Sequence, residues 1–224
     1  MELILAEQLL LLFLDDEKGS DQASWGGDPG LAGAILLDLT AQRAITEDDG
    51  KLAAVPGASP DHPLLADALA AIVSSDKRRD AKGWVGRLPK ELKPVRERTA
   101  EPLVERGVLT EERRKVLGLF PSTRFPAADP EPEHELRERL RAVLQTERQP
   151  TPQEAMLIAL LVPYDQVKRL VPRDRRKDAQ RRAKEVAEGG AAAKAVDDTI
   201  KGIQAAVIAS TTAAIVATTA SSGS

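Results

Sequence analysis

Residues 1–14 constrain the fold most, because as a helix they would be apolar on nearly every side. Such a helix is too short to cross a bilayer, which takes about 20 residues. It is also too apolar to lie on the surface of a soluble protein. Other elements of the same chain must therefore surround it. The sequence predicts a core helix here, with the rest of the protein packed around it.

The composition favours helices as those other elements. Of the 224 residues, 42% are hydrophobic but only 3% are aromatic, so the core must consist mainly of Leu, Ala, Val and Ile. A core of these residues favours packed helices. The predicted helices lie at 29–43, 63–74, 76–85, around 136–144 and at 155–162, the last of them opened by a capping box of Thr151 and Glu154. The uncharged stretch 202–224 is predicted as a small-residue helix inside the bundle rather than a membrane span, because it is weakly hydrophobic and lacks basic or aromatic flanks.

Two hairpins are predicted, each directly after a helix. In the first, Asp49-Gly50 lies between the short runs 44–46 and 51–55, which is a strong hairpin signal. In the second, 115–120 and 123–125 flank a turn at Pro121-Ser122. Helix followed by hairpin, twice, indicates winged-helix-like units. The predicted fold class is mainly α, a single compact helical domain over 1–224 with short β-hairpins.

The net charge of −3 hides a strong asymmetry along the chain. Residues 1–70 carry a net charge of −10, whereas residues 71–188 carry +7. A basic segment of this kind fits nucleic acid, an anionic membrane or the chain's own acidic half. A winged-helix-type nucleic-acid-binding regulator is thus the alternative function, although the pI near 5.6 argues against it, and no nucleic acid is expected. A bundle without any ligand is the third possibility.

The sequence offers no catalytic or metal-binding signature. There is no cysteine, which excludes disulfides and thiolate metal sites and fits a reducing cytosol. His62 and His134 lie beside proline or in an acidic run, which argues against a histidine site. Nucleophile-elbow, zinc-protease and phosphate-loop motifs are all missing. We therefore expect no enzyme, no metal and no cofactor, and the lack of a basic region after Met1 predicts no signal peptide.

The segment 92–109 carries the clearest candidate site. Pro94 suits the first turn of a helix, Pro102 predicts a kink or restart, and Gly107 predicts a left-handed cap at its end. Lys90, Lys93 and Arg96, three residues apart, form what we call the cationic ridge. A charge run of this kind is usually a solvated helix face, and an anion site is the other interpretation.

Two aromatic features could accompany an anion site. Trp25 lies in a loop before a predicted helix N-terminus, where backbone N–H groups favour phosphate, although it could equally be a core residue. The second hairpin carries Phe120 and Phe125 with Arg124 between them, and aromatics beside a base suit an interfacial membrane anchor. The alternative is that both phenylalanines hold the hairpin against the bundle.

Three segments resemble one known family. They are 6–19, the Gly-Leu-Ala-Gly helix at 30–39, and Val95-Arg96-Glu97-Arg98 followed by Leu-Val-Glu-Arg-Gly-Val-Leu at 103–109. These segments resemble, in the same order, the opening helix, the Gly-Leu-Arg-Gly helix and the central Val-Arg-Glu-Arg segment of the Golgi phosphoprotein 3 family. The form they resemble is bacterial, of actinobacterial type.

The resemblance implies a peripheral membrane protein that binds phosphatidylinositol 4-phosphate or a related anionic phospholipid head group. It assigns Trp25, Lys93 and Arg96 to the head group, while the family's helix arginine falls on Ala32. It also implies a hairpin for membrane insertion and self-association at about 115–125, with Leu119, Phe120, Arg124 and Phe125. The predicted function is a non-enzymatic adaptor on the cytoplasmic face of the membrane. Its predicted partners are the anionic membrane surface, client membrane proteins and a second copy of the chain.

Overall fold

The computed structural model describes residues 3–15, 27–116, 120–188 and 198–221. The helices within these ranges are α1 (Leu5–Phe13), α2 (Gly27–Ala41), α3 (Pro63–Val73), α4 (Ala81–Glu91), α5 (Val95–Glu105), α6 (Glu131–Gln145), α7 (Pro152–Leu161), α8 (Arg176–Glu188) and α9 (Asp198–Ser221). The strands are β1 (Ile45–Asp48), β2 (Lys51–Ala54), β3 (Glu112–Val116) and β4 (Phe120–Arg124). Short 3₁₀ turns at Val162–Tyr164, Val167–Arg169 and Arg173–Arg175 join α7 to α8. The mainly helical fold class with short hairpins is confirmed.

Helix α1 lies at the centre of the core, as its apolar sequence predicts. Every one of its residues is buried, including the polar Glu7 and Gln8. It packs against α2, α5, α6 and α7, and the buried apolar side chains of these elements form one continuous cluster. The expectation of a helix surrounded by the rest of the chain is confirmed.

Helix α9 packs closely on α2 and α4. A Cβ placed on Gly33 of α2 would lie 2.2 Å from Val207 Cγ2, so the two backbones approach as near as a glycine allows. The predicted small-residue helix inside the bundle is confirmed for the first half of α9, where Ile203 and Val207 are buried. Among the residues described, no helix has the length and apolar character needed to cross a membrane.

The first hairpin has the predicted turn. Strands β1 and β2 pair antiparallel, with Asp48 opposite Lys51 and Ile45 opposite Ala54. The two residues between the strands, Asp49 and Gly50, have φ of 51° and 68°. Positive φ at both positions is the type I′ geometry that Asp-Gly favours and that matches the strand twist.

The predicted turn of the second hairpin is wrong. Val116 pairs with Phe120 and Lys115 with Pro121, so Pro121 and Ser122 lie within β4 rather than in a turn. The residues between the two strands, 117–119, lie outside the described residues. The pairing register is fixed at the base of the hairpin, where Leu109 bridges Ala127, and the same register continues through β3 and β4. A two-stranded hairpin has only edge strands, in which proline is tolerated.

Helix α4 also differs from its predicted bounds of 76–85. It begins at Ala81 because the Asp80 carboxylate caps it, accepting a hydrogen bond from Gly83 N at 2.8 Å. It then continues through Pro89 to Glu91. Trp84, expected on this helix, is there and is buried.

Helix α5 confirms the predicted cap but not the predicted interruption. Gly107 has φ of 72°, and its N–H donates to the Val104 carbonyl at 2.9 Å, as expected for a left-handed cap. Pro94 occupies the N-cap position rather than the first helical one. The helix does not restart at Pro102 but runs unbroken to Glu105, with Leu103 fully buried in the core.

Candidate functional site

The candidate site is built on the connection between α4 and α5. Lys90 lies in the last turn of α4, and both Lys90 and Lys93 are exposed. The Lys93–Pro94 peptide bond is cis, and α5 begins at the next residue with no side chain capping its N-terminus. The first N–H groups of a helix have no partner within the helix and attract anions. Basic side chains and an uncapped helix N-terminus therefore lie within a few residues of each other.

Arg96 in the first turn of α5 is half-buried and lies against an aromatic ring. Its guanidinium carbon is 5.7 Å from the ring centroid of Phe125, a cation–π arrangement. The ring contact restricts where the guanidinium of this first-turn residue can go. Arg98, on the same helix, forms an ion pair with Asp67 of α3.

Phe125 is 2% exposed, so its ring belongs to the base of the second hairpin rather than to an exposed tip. This placement corresponds to the alternative in which Phe125 holds the hairpin against the bundle. The same base is closed by Thr110 N donating to the Pro126 carbonyl at 2.9 Å and by Ala128 N donating to the Val108 carbonyl at 2.9 Å. Beyond it, β3 and β4 pack chiefly against each other, and the hairpin projects from the helices. Arg124 is partly exposed at the end of β4.

Three of the predicted site residues cannot be placed. Trp25 and Leu119 lie outside the described residues, and for Phe120 the strand position is described but the side chain is not. The structure therefore brings Arg96 together with Phe125, and it places Lys93 on the connection that precedes Arg96.

Ala32 of α2 is fully buried. The two glycines beside it are packing positions: a Cβ at Gly30 would lie 3.0 Å from the Tyr164 ring, and one at Gly33 would overlap Val207. The Gly-Leu-Ala-Gly segment thus serves close helix packing in this chain. A long cationic side chain at position 32 has no room in this arrangement.

The start of α1 carries a buried polar network that the sequence did not predict. Glu7 has no exposed side-chain surface; its Oε2 accepts from Ile4 N at 3.0 Å, and Arg106 Nη2 donates to its Oε1. His62 Nε2 lies 3.3 Å from the same Oε1. Arg106 follows α5 and Glu7 lies on α1, so this ion pair joins helices 99 residues apart in sequence. Spacing along the chain gives no signal for such a pair.

Asp38 of α2 completes this network, because its carboxylate accepts hydrogen bonds from backbone N–H groups in the first turn of α1. Its Oδ1 accepts from Leu5 N at 3.1 Å and its Oδ2 from Ala6 N at 3.3 Å. Burial raises the pKa of Asp38 from 3.8 to about 7, although these two N–H bonds and the nearby His62 lower it. The carboxyl is thus close to its titration midpoint at neutral pH.

The described residues contain no cluster of His, Asp and Glu side chains that could hold a metal ion. The geometry on the α4–α5 connection suits an anion held at a surface, since it combines exposed lysines, an arginine held against an aromatic ring and helix N–H groups. The comparison with known families agrees with the segments that carry the resemblance: residues 5–203 match the sequence model described as Golgi phosphoprotein 3 (GPP34). This match spans most of the chain, and the protein therefore belongs to the Golgi phosphoprotein 3 family.

Proposed function

We propose that this protein binds an anionic phospholipid head group, with phosphatidylinositol 4-phosphate as the leading candidate, and acts at the cytoplasmic face of a membrane as a non-enzymatic adaptor. The observation that carries the proposal is the pair Lys93 and Arg96 on either side of the uncapped N-terminus of α5. Charged donors and helix N–H groups directed at one place are what a phosphate requires. Membership of the family supports the same function.

The second hairpin would provide the apolar part of the membrane contact. Its strands pack chiefly against each other, and Phe120 begins β4 at the end away from the base. We assign Leu119 and Phe120 to the interface and Arg124 to the neighbouring phosphates. Phe125 takes a different role from the one expected, because it is buried under Arg96 and couples the hairpin to the head-group site. Self-association through the same hairpin remains part of the proposal.

Ala32 determines how selective the site should be. With a buried alanine at this position, the head group meets Lys93 and Arg96 without a third cation from α2. Each basic residue near an anionic membrane contributes about 1 kcal/mol, which is about fivefold in binding. We therefore expect total anionic charge to matter more than the position of the phosphate on the inositol ring.

Vesicle flotation tests the head-group site. The full chain is mixed with phosphatidylcholine vesicles, alone or with phosphatidylserine, phosphatidylinositol or phosphatidylinositol 4-phosphate. Lys93→Ala and Arg96→Ala should each reduce binding to anionic vesicles about fivefold or more. Arg98→Ala is the matched control: it removes an arginine from the same helix whose guanidinium is held by Asp67 of α3, so binding should change less than twofold.

The result also separates the parts of the proposal. Binding to phosphatidylinositol 4-phosphate vesicles that exceeds binding to phosphatidylserine vesicles of equal charge would establish head-group selectivity. Equal recovery with neutral and anionic vesicles, unaffected by Arg96→Ala, would refute the lipid site.

A further inference from the structure

A second surface, at the other end of α4 from the cationic ridge, has the features of a peptide-binding groove. It has a volume of about 530 Å³ and lies between β2 with the turn after it and the C-terminal end of α3. Trp84 of α4 lines it, together with Leu69 and Ile72 of α3. Val73 on its wall is 68% exposed, which makes it the most exposed large apolar side chain in the part of the chain the structure describes. The groove is thus apolar and open.

The edge of β2 facing the groove has a pairing position that no described residue fills. Leu52 N donates outward to the Arg79 carbonyl at 2.8 Å, which is one rung of an antiparallel ladder. Backbone groups alternate in direction along a strand, so Ala54 presents its N–H and carbonyl on the same side. Lys77, the residue that would pair with Ala54, instead accepts at its carbonyl from Ser75 Oγ at 2.9 Å. Ala54 and Lys77 both line the groove, which opens where the ladder stops.

One of the side chains that line the groove also holds a buried donor. Trp84 is 2% exposed, and its indole Nε1 makes no hydrogen bond among the described residues. Arg79 lies against the ring, with its guanidinium carbon 5.2 Å from the centroid, and so helps to hold the ring in place. Buried polar groups in folded proteins nearly always have a partner, and this indole N–H has none among the described residues.

The charge at the rim is positive. Lys77 and Arg78 are the charged residues among those lining the groove. Arg78 is engaged by Asp48, at 2.6 Å, whereas Lys77 is exposed and forms no ion pair within the described ranges. An occupant with a carboxylate beside its apolar part would complement this rim.

We propose that this groove binds a short extended segment of a partner protein, with an aliphatic side chain between Val73 and Trp84 and an Asp or Glu against Lys77. The segment adds to the edge of β2 at Ala54, a known mode of peptide recognition. A fatty acid would also bring an apolar chain and a carboxylate, but it would leave the Ala54 backbone groups unpaired. The inference deepens the adaptor part of the proposed function by naming the chemistry of the client.

A displayed library of random heptapeptides, selected on the full chain, tests the proposal without assuming a sequence. The selection is repeated on Val73→Asp, a change at an exposed position that should leave the fold intact. The expected result is enrichment, on the native chain only, of peptides with an aliphatic residue within two positions of Asp or Glu. Equal enrichment on both proteins, or no enrichment, would overturn the proposal.

One enriched peptide is then synthesised and its binding followed by the fluorescence of Trp84, in a Trp25→Phe background that removes the other tryptophan. Val73→Asp and Lys77→Glu should each weaken binding at least tenfold. The matched controls are Ile208→Asp, at the exposed apolar side chain of α9, and Lys82→Glu, on α4; both should stay within twofold. A peptide with Lys in place of its acid should prefer the Lys77→Glu protein.

Dodecanoate serves as the competing probe. If it binds with the same dependence on Val73 and Lys77 while no enriched peptide does, the groove is a lipid site and the peptide proposal is wrong. The assay contains no membrane. A negative peptide result would therefore not bear on the head-group site. Loss of vesicle binding would likewise not bear on the peptide proposal.

Discussion

Replacement of Asp38 by Asn tests whether the capping carboxyl of α1 is as strongly perturbed as its surroundings require. Asparagine keeps one carbonyl oxygen for the N–H groups of Leu5 and Ala6 but cannot ionise. In the native chain the pKa of Asp38 rises from 3.8 to about 7 because the carboxyl is buried. The folded state therefore holds this proton more tightly than the unfolded state does.

The sign of the pH dependence follows from this difference. The contribution of Asp38 to stability is fully present below about pH 4 and is lost as the pH rises through about 7. A shift of about 3 units at about 1.4 kcal/mol per unit amounts to about 4 kcal/mol. The free energy of unfolding of Asp38→Asn minus that of the native chain should thus be lowest near pH 4. This difference should rise by about 4 kcal/mol by pH 8, because the native chain loses stability over this range.

Urea unfolding at five pH values from 4 to 8 measures this difference directly. The control is Asp67→Asn on α3, which removes the partner of Arg98 at the surface and should change stability by less than about 1 kcal/mol at every pH. Extrapolated free energies of unfolding carry an error of about 10%, or roughly 0.5 kcal/mol here. If the stability difference between Asp38→Asn and the native chain varies by less than this error over the pH range, the pKa of Asp38 is not raised as argued.

The remaining predictions concern stability and are measured by the same urea unfolding at pH 7. Gly33→Ala should lower the free energy of unfolding by about 1–3 kcal/mol because the new methyl group overlaps Val207. Adding Val207→Ala removes this overlap, so the double variant should regain part of the lost stability. Gly86→Ala, in α4 with open space around it, should instead raise it by about 0.5–1 kcal/mol. Gly107→Ala should cost about 1–2 kcal/mol, since φ is 72° there. Thr151→Ala should cost about 1 kcal/mol by removing the cap of α7.

Features that depend on neighbouring residues were predictable from the sequence. The core helix α1, the Asp49-Gly50 turn and the Gly107 cap each follow from a local pattern with one dominant physical solution. The capping box of Thr151 and Glu154 belongs to the same class, because each side chain accepts from the other's backbone N–H. Each of these features is found where the sequence predicts it.

Features set by distant parts of the chain were not predictable in this way. In the second hairpin, Pro121 and Ser122 lie within β4 because the rung between Leu109 and Ala127 fixes the register at the base, and the local Pro-Ser turn signal does not override it. The burial of Phe125 under Arg96 depends on how the hairpin base meets α5. The groove beside Val73 is likewise formed by elements that are separate in sequence, β2 and the end of α3.

The two proposed surfaces lie at opposite ends of α4, and this separation limits which client proteins can use both. Trp84 lines the groove and Lys90 belongs to the cationic ridge, so about 9 Å of helix axis separates them at about 1.5 Å per residue. An extended chain covers about 3.3 Å per residue, so a client leaving the membrane at the ridge needs at least about three residues before its aliphatic–acidic motif.

Vesicles that display the selected peptide on linkers of one, five and fifteen residues test this spacing. Simultaneous engagement of lipid and peptide makes the second contact intramolecular, which can strengthen binding about 100-fold or more when the linker spans the two sites. The five-residue linker should show this gain, the fifteen-residue linker a smaller one, and the one-residue linker none. Arg96→Ala should remove the gain without changing binding of the free peptide. A gain that is independent of linker length would mean that groove and ridge do not act on the same client, and the adaptor geometry argued from α4 would be wrong.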